Sequence, residues 1–323
     1  MPRIEFRDGL RLSEGRVKIA FDSVGGPKTL CCISHAHSDH VVTHVRAIMT
    51  PETKSLISCY HRKLGKVVII KNGGAVNLRG DLKIKLMDAG HVLGSSQFNV
   101  QGDGFSVTYT GDINTCETII TKPAVRNECD ILIVESTYGD PGYIFPDRER
   151  LYGDILGWVS RCLSDGRIPA FKAYSIGKSQ EIIKLLNEYT SLPVVVGPTV
   201  AAASTVYNEM GMDLRFAPVN TDEGAEILSD GRCVYVDSTR RRLPVWRRVC
   251  WAVATGWALR YRFTDYDRSF PLSSHADFKG LLDFIEDVKP KKVYTHHGFA
   301  NRLAAYLRRF GYDAKAVDLA LLY

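Results

Sequence analysis

The chain has 323 residues, of which 45% are hydrophobic and 24% charged, and carries a formal net charge of +6. That size and apolar content suit one large domain or two modest ones with a real core, and they exclude a disordered or low-complexity chain. No run of about 18 apolar residues predicts a membrane span, and the N-terminal MPRIEFRDGLRLSEG lacks the apolar core of a signal peptide, so a cytoplasmic protein is expected.

Four short apolar segments read as strands, taken in chain order. TLCCIS (29–34) runs into His35, FSVTYTG (105–111) into Asp112, CDILIVE (129–135) ends on Glu135, and KKVYTH (291–296) runs into His297. Their short length and β-branched or aromatic content favour strand over helix. Each chemistry-bearing residue therefore falls at or just past a strand's C-terminal end, as in sites built along one edge of an α/β sheet. Helical patterns lie between and after them: GKSQEIIKLLNEY (177–189) with Ser179 as cap, TVAAASTVYNEM (199–210), FKGLLDFIEDV (278–288) and NRLAAYLRRFGY (301–312). The alternation predicts an α/β class with αββα layering. IGKS (176–179) is no phosphate-binding loop, because position 172, where that loop needs Gly, is Lys.

Eight cysteines are scattered without a CxxC pair, which excludes a zinc ribbon and predicts reduced, mostly buried thiols. The +6 charge is mild, but Arg240, Arg241, Arg242, Arg247 and Arg248 crowd around Trp246. A basic run with an aromatic can hold phosphates and stack a base, or form a solvated face.

The densest chemistry is His35-Ala36-His37-Ser38-Asp39-His40. In extended chain, side chains two apart point the same way, so His35 and His37 reach one metal. Asp39 and His40 lie where the chain turns and can serve a neighbouring site, with a helix expected over VVTHVRA (41–47). Imidazole and carboxylate ligands without thiolate suit zinc, with manganese or iron as alternatives. Further ligands stand in MDAGHVLGS (His91), YTGDIN (Asp112) and YTHHGF (His296, His297). His44 and His61 fall outside these groups and read as ordinary residues, His61 as solvated.

HAHSDH, AGHVLG and TGD resemble the metal motifs of the metallo-β-lactamase fold. The resemblance implies that His35, His37 and His91 hold one zinc, Asp39 and His40 a second, with Asp112 bridging. IVESTYGD (133–140), PLSSHADF (271–278) and HHGF (296–299) resemble the signature motifs of the β-CASP nucleases, metallo-β-lactamase enzymes of RNA processing and DNA repair. That family implies an αββα sandwich, residues 1–140 and 250–323, interrupted by a small α/β cap domain at 141–249. It makes Glu135 the acidic motif residue, His275 the middle-motif histidine and His297 a ligand of the second zinc. The expected activity is two-zinc hydrolysis of phosphodiesters, with His275 as general acid oriented by Glu135. Ser273 and Ser274 are expected to donate to phosphate.

Two clues to the substrate conflict. A histidine at the last motif is usual in RNA-cleaving members, whereas the compact length and stretches such as AYSIGKSQ and ATGWALRYRF resemble small exonuclease-type proteins associated with DNA ligases. The expectation is an exonuclease on single-stranded DNA, with a β-CASP ribonuclease as alternative. A ligase or helicase partner is implied by family resemblance only. A single strand is expected to thread between the two domains, with Arg240, Arg241, Arg242 and Trp246 along its path. A small-molecule metallo-hydrolase would explain the zinc motifs but not ESTYG, SSHAD or the cap; a degenerate scaffold would be expected to lack ligands that are all present here.

Overall fold

The computed structural model describes residues 2–6, 9–42, 44–60 and 64–317. The chain begins with β1 (Arg3–Glu5), β2 (Leu10–Glu14), β3 (Val17–Phe21), β4 (Leu30–Cys32), β5 (Arg46–Met49), α1 (Pro51–Cys59) and β6 (Lys66–Ile69). It continues through β7 (Ala75–Asn77), β8 (Lys83–Asp88), β9 (Ser96–Gly102), β10 (Phe105–Tyr109) and β11 (Ile131–Glu135). Next come α2 (Arg148–Ser164), β12 (Ile168–Lys172), α3 (Lys178–Tyr189), β13 (Val194–Val196), α4 (Pro198–Glu209), β14 (Ala217–Pro218), α5 (Asp222–Asp230), β15 (Val234–Asp237), β16 (Val249–Ala254) and β17 (Arg268–Phe270). The last elements are α6 (Phe278–Val288), β18 (Lys292–His296), α7 (Ala300–Arg309) and β19 (Ala314–Ala316). Among the described residues no helix is long and apolar enough to cross a membrane.

Two units result. The first holds the chain up to Glu117, Thr121–Ile144 and the chain from His275 onward; the second holds Thr118–Ile120 and Phe145–Ser274. The insertion thus ends at Ser274, not at the expected residue 249. The cause is strand pairing: β16 lies parallel to β12, Ile168 opposite Val249, and β17 lies parallel to β16. Residues 250–274 complete the second unit's sheet.

The first unit has two sheets, one of six strands in the order β1-β2-β3-β4-β5-β6 and one of seven in the order β19-β18-β11-β10-β9-β8-β7. Ile19, Phe21, Leu86, Phe98, Val100, Val107 and Tyr109 form one core with strands from both sheets. β11 shows why CDILIVE is apolar at successive positions: Ile133 joins this core, whereas Leu132 and Val134 face the other way, against Leu281, Phe284 and Leu303 of α6 and α7. A strand buried on both faces has no polar alternation to keep. Each such Leu, Ile or Phe contributes roughly 1.5–3 kcal/mol.

The helix expected over VVTHVRA does not form. Arg46–Met49 is strand β5, held parallel between β4 and β6. The helix starts instead at Pro51, capped by the Thr50 side chain, which accepts from Thr53 N. Val41, Val42 and Val45 are β-branched, and sheet pairing gives their neighbours' backbone more than a helix would.

The second unit carries an all-parallel sheet, β14-β13-β15-β12-β16-β17. α3, α4 and α5 make the crossovers from β12 to β13, β13 to β14 and β14 to β15. The segment from β15 to β16, residues 238–248, contains no helix.

Candidate metal centre

In the first unit, parallel strands deliver the polar residues to one sheet edge. β10 and β11 pair with Thr108 opposite Leu132, and β11 and β18 pair with Glu135 opposite His296. Asp112, Glu135 and His297 therefore leave their strands at the same level. In the other sheet β3 and β4 pair with Phe21 opposite Cys32, which sets Asp22 beside the segment carrying His35.

The imidazoles converge. His35 Nε2 lies 3.0 Å from His37 Nδ1, and His91 Nε2 lies 3.1 Å from the same atom. Asp112 Oδ2 stands 3.5 Å from His35 Nε2 and 3.7 Å from His91 Nε2. One donor atom from each of these four residues lies within 4.8 Å of all the others. The same Asp112 oxygen is 3.5 Å from His40 Nε2, which in turn is 3.7 Å from Asp39 Oδ2. The His297 ring lies 5.9 Å from that of His40, centre to centre. His275 Nδ1 is 2.9 Å from Glu135 Oε1 and 4.0 Å from Asp112 Oδ2.

Asp22, which the motif reading passed over, organises the cluster. Its carboxylate accepts from Ser34 N (2.7 Å), Ser34 Oγ (2.5 Å), Tyr109 OH (2.9 Å) and His40 Nδ1 (2.8 Å). Since the Ser34 hydroxyl proton goes to Asp22, the 2.9 Å contact between Ser34 Oγ and His35 Nδ1 has the ring N–H as donor. His35 thus carries its proton on Nδ1 and turns its Nε2 lone pair toward Asp112, while Asp22 holds a proton on His40 Nδ1 and leaves His40 Nε2 as the atom that faces Asp112. That is the tautomer a metal requires, fixed by hydrogen bonds behind the ring. The only sequence signal for Asp22 is an acid one residue past a strand, in FDS.

The electrostatics agree. Burial pushes the His35 pKa well down, and His40 and His37 add to the effect, so it is a neutral acceptor. Burial also raises the Asp112 carboxyl, opposed by His40 and His275. Burial lowers His40, yet Asp112, Asp22 and Asp39 outweigh it and push its pKa up to about 10. A position where three carboxylates favour positive charge, lined with neutral imidazole lone pairs, fits a cation. The donors are nitrogen and oxygen, and they match zinc or manganese.

Glu135 is fully buried, and its carboxylate lies within 4.8 Å of ligand atoms of Asp112 and His275. Its Oε1 accepts from Ile113 N (2.9 Å) and its Oε2 from Thr137 N (3.1 Å). Burial raises its carboxyl, but the His275 charge and these bonds hold it below the usual range. His275 is itself pinned: Ala276 N donates to Ile113 O at 2.7 Å, and Asp277 caps α6 by accepting from Gly280 N at 2.7 Å. The HHGF turn is held by Ser136 Oγ, which donates to the carbonyls of His296 (2.6 Å) and His297 (2.8 Å). His297 has φ +61°, and at Gly298 a Cβ would stand 2.5 Å from the backbone of Thr137, so only glycine fits.

The remaining expected residues fall elsewhere. His296 is fully buried, stacked on Tyr109 at 5.6 Å, and neither ring nitrogen has a partner among the described residues. His44 bonds Val42 O at 3.0 Å and joins no ligand group; His61 lies outside the described residues. Ser273 and Ser274, in the second unit, are buried rather than presented to solvent, and Ser273 O accepts from Arg148 at 2.8 Å. Arg240, Arg241 and Arg242 are exposed, and Trp246 is 79% exposed. All eight cysteines are free, and six are buried, namely 31, 32, 129, 162, 233 and 250.

Comparison with known proteins adds an independent view. Residues 268–317, which include His275 and His297, match the family described as a Zn-dependent metallo-hydrolase RNA specificity domain. A probable DNA ligase of Opitutus terrae is 33% identical over 299 residues, 90% of this chain and 29% of that protein. An RNase J-like protein of Methanocaldococcus jannaschii is 28% identical, over 54% of this chain and 48% of that protein. RNase aCSPSF2 of Saccharolobus solfataricus is 36% identical over 33% of this chain and 22% of that protein. The chain thus spans less than half the length of each of these relatives. A protein of unknown function from Enterococcus faecalis shares the fold, with a TM-score of 0.67, 14% identity and 92% of each chain covered.

Proposed function

The chain belongs to the β-CASP nucleases of the metallo-β-lactamase fold, and on that premise we propose that it hydrolyses the phosphodiester backbone of nucleic acid with two zinc ions. The observation that carries this reading is the convergence of two donor groups on Asp112, with the His275–Glu135 pair beside it. His35, His37, His91 and Asp112 would hold one ion, and Asp39, His40, His297 and Asp112 the other. Bound zinc supplies Lewis acidity toward phosphate oxygens and lowers the pKa of water toward ~7.

The chain's own residues supply the rest. Asp22 keeps the His40 proton on Nδ1, so Nε2 stays available as a ligand. Glu135, anionic and fixed by two backbone amides, faces Nδ1 of His275. It therefore sets the proton on Nδ1 and stabilises the imidazolium, whose Nε2–H donates to the leaving alkoxide.

For the substrate we favour single-stranded DNA, cut from an end. The support is the relative named a probable DNA ligase, which matches over 90% of this chain. RNA is the second reading, favoured by the RNA specificity domain that spans His275 and His297 and by relatives named RNases. The test is zinc-loaded protein with end-labelled single strands of one sequence, as DNA and as RNA, beside an Asp39→Ala/His40→Ala control. DNA shortening that the control abolishes is the expected result. Preferential RNA cleavage replaces the first reading with the second, and zinc-loaded protein that cuts neither refutes both.

A further inference from the structure

The second unit carries a feature that the metal chemistry does not use. Parallel strands are joined by crossovers that usually place a helix over the sheet, as α3, α4 and α5 do here. The crossover from β16 to β17 holds only the 3-10 turn Gly256–Leu259, and that from β15 to β16 is made by the coil 238–248, with no helical turn at all. Below it Val195, Tyr235, Ala170 and Trp251 form one apolar row, with Ile227 and Leu228 of α5 at one end and Leu243 of the coil at the other. Where a helix would have filled the space, a cavity of about 500 Å³ opens, a size typical of ligand sites, which run ~300–1,000 Å³. Its lining mixes apolar Leu243, Val245, Val249 and Trp251 with Arg240, Arg241, Arg242 and Arg247.

The arginines are unequally engaged. Arg241 Nε pairs with the fully buried Asp237 at 2.6 Å, and Arg248 reaches Asp267 at 3.7 Å. Arg240 donates to the Asp265 carbonyl and lies 5.5 Å over the Tyr266 ring. Among the described residues no carboxylate pairs with Arg240, Arg242 or Arg247. The Arg247 guanidinium sits 4.9 Å over the Trp246 ring, and its Nε is buried without a hydrogen-bond partner. All five cations of the segment are Arg, none Lys. Planar forked donors suit phosphate, and a 79% exposed indole suits an unpaired base rather than a core.

We propose that the cavity lined by the 238–248 coil is a second grip on single-stranded nucleic acid, in which Arg242 and Arg247 hold backbone phosphates while Trp246, exposed beside Arg247 on the same coil, stacks a base. The inference rests on the nucleic-acid reading above but not on which sugar the strand carries. It assigns strand binding to residues that make no contact with the metal ligands among the contacts described for them.

The test uses metal-loaded full-length chain, a labelled phosphorothioate single strand read by fluorescence anisotropy across a salt titration, and hydrolysis of a small chromogenic phosphodiester in parallel. Arg242→Ala removes an exposed side chain without an intramolecular partner, so it leaves folding intact. Arg242→Ala/Arg247→Ala is expected to weaken strand binding about tenfold and to reduce the log–log salt slope by about 0.7 per lost contact. Trp246→Ala is expected to weaken it by roughly tenfold as well, with partial rescue by Trp246→Phe. Hydrolysis of the small diester stays at the wild-type rate. Unchanged affinity and slope, with the diester still cleaved, overturn the grip and leave the nuclease reading standing. Wild-type protein that neither binds strands nor cleaves the diester overturns both. Competition by polyglutamate as strong as by a strand of equal charge makes the cavity a site for acidic protein and overturns the strand assignment.

Discussion

Both units bury carboxylates, but they balance the charge differently. In the second unit Glu181 accepts from Tyr152 OH at 2.6 Å and faces Arg148 at 3.4 Å, while Asp237 accepts from Tyr235 OH at 2.7 Å and Ser238 N at 2.7 Å and pairs with Arg241. Burial raises the pKa of both tyrosines, and the carboxylates add to it, so the hydroxyls remain donors. The chain's own cations and donors close each group. In the first unit His35, His37, His91 and His40 aim ring nitrogens at one another and at Asp112. Among the described residues the ion pairs of Asp22, Asp39, Asp112 and Glu135 are all with histidine, none with arginine or lysine. Buried polar clusters that are internally complete hold a fold together. One whose acceptors face each other is stable only with a cation added.

This contrast can be broken by experiment, and metal removal is the strongest challenge. Stripping the protein with a chelator should abolish phosphodiester hydrolysis, and zinc should restore it. Thermal melting should fall as well, since a ligand at a thousand times its Kd stabilises by about 4 kcal/mol. A melt indifferent to chelator would show that the first unit's cluster is as self-sufficient as the second's.

His275→Ala should lower the rate by about 10²–10⁴-fold, the usual worth of a general acid, while bound zinc measured by elemental analysis stays constant. Zinc loss in that variant would make His275 a ligand, a role that its 4.0 Å separation from Asp112 leaves geometrically near. The mirror experiment is Glu181→Ala. Leaving the Tyr152 hydroxyl and the half-buried Arg148 without their carboxylate should cost about 1–3 kcal/mol in denaturant unfolding, with zinc content unchanged. The smallest expected effect sharpens the contrast from inside the metal cluster. Asp22→Asn keeps the shape but removes the charge behind His40, and should weaken zinc binding about 10–100-fold in competition with a chromogenic chelator. Unaltered affinity would mean that Ser34 and Tyr109 orient the cluster without it.

Several features were legible from sequence for definite reasons. α6 runs over Phe278–Val288, as its apolar spacing predicts, because Asp277 caps it and Lys289 ends it in the left-handed region. The strands running into His35, Asp112, Glu135 and His297 were readable because each is a short apolar run that ends in an ionisable residue. Other features depended on partners distant in sequence. VVTHVRA looked helical only while β4 and β6 were out of view. The end of the insertion was set by β16 choosing β12 as neighbour, and VCWAVA reads the same in either unit. The arginines looked equivalent until Asp237 engaged Arg241 and left Arg242 and Arg247 without carboxylates.

The sequence by itself therefore carried the motifs on which the family resemblance rests and the strands that run into them, because residue chemistry and local periodicity are properties of neighbours along the chain. Only the tertiary structure decided that Asp22 orients His40, where the second unit ends and which arginines stay open. Each of these turns on strand register and long-range pairing, which bring residues such as His275 and Glu135, 140 positions apart, within one hydrogen bond.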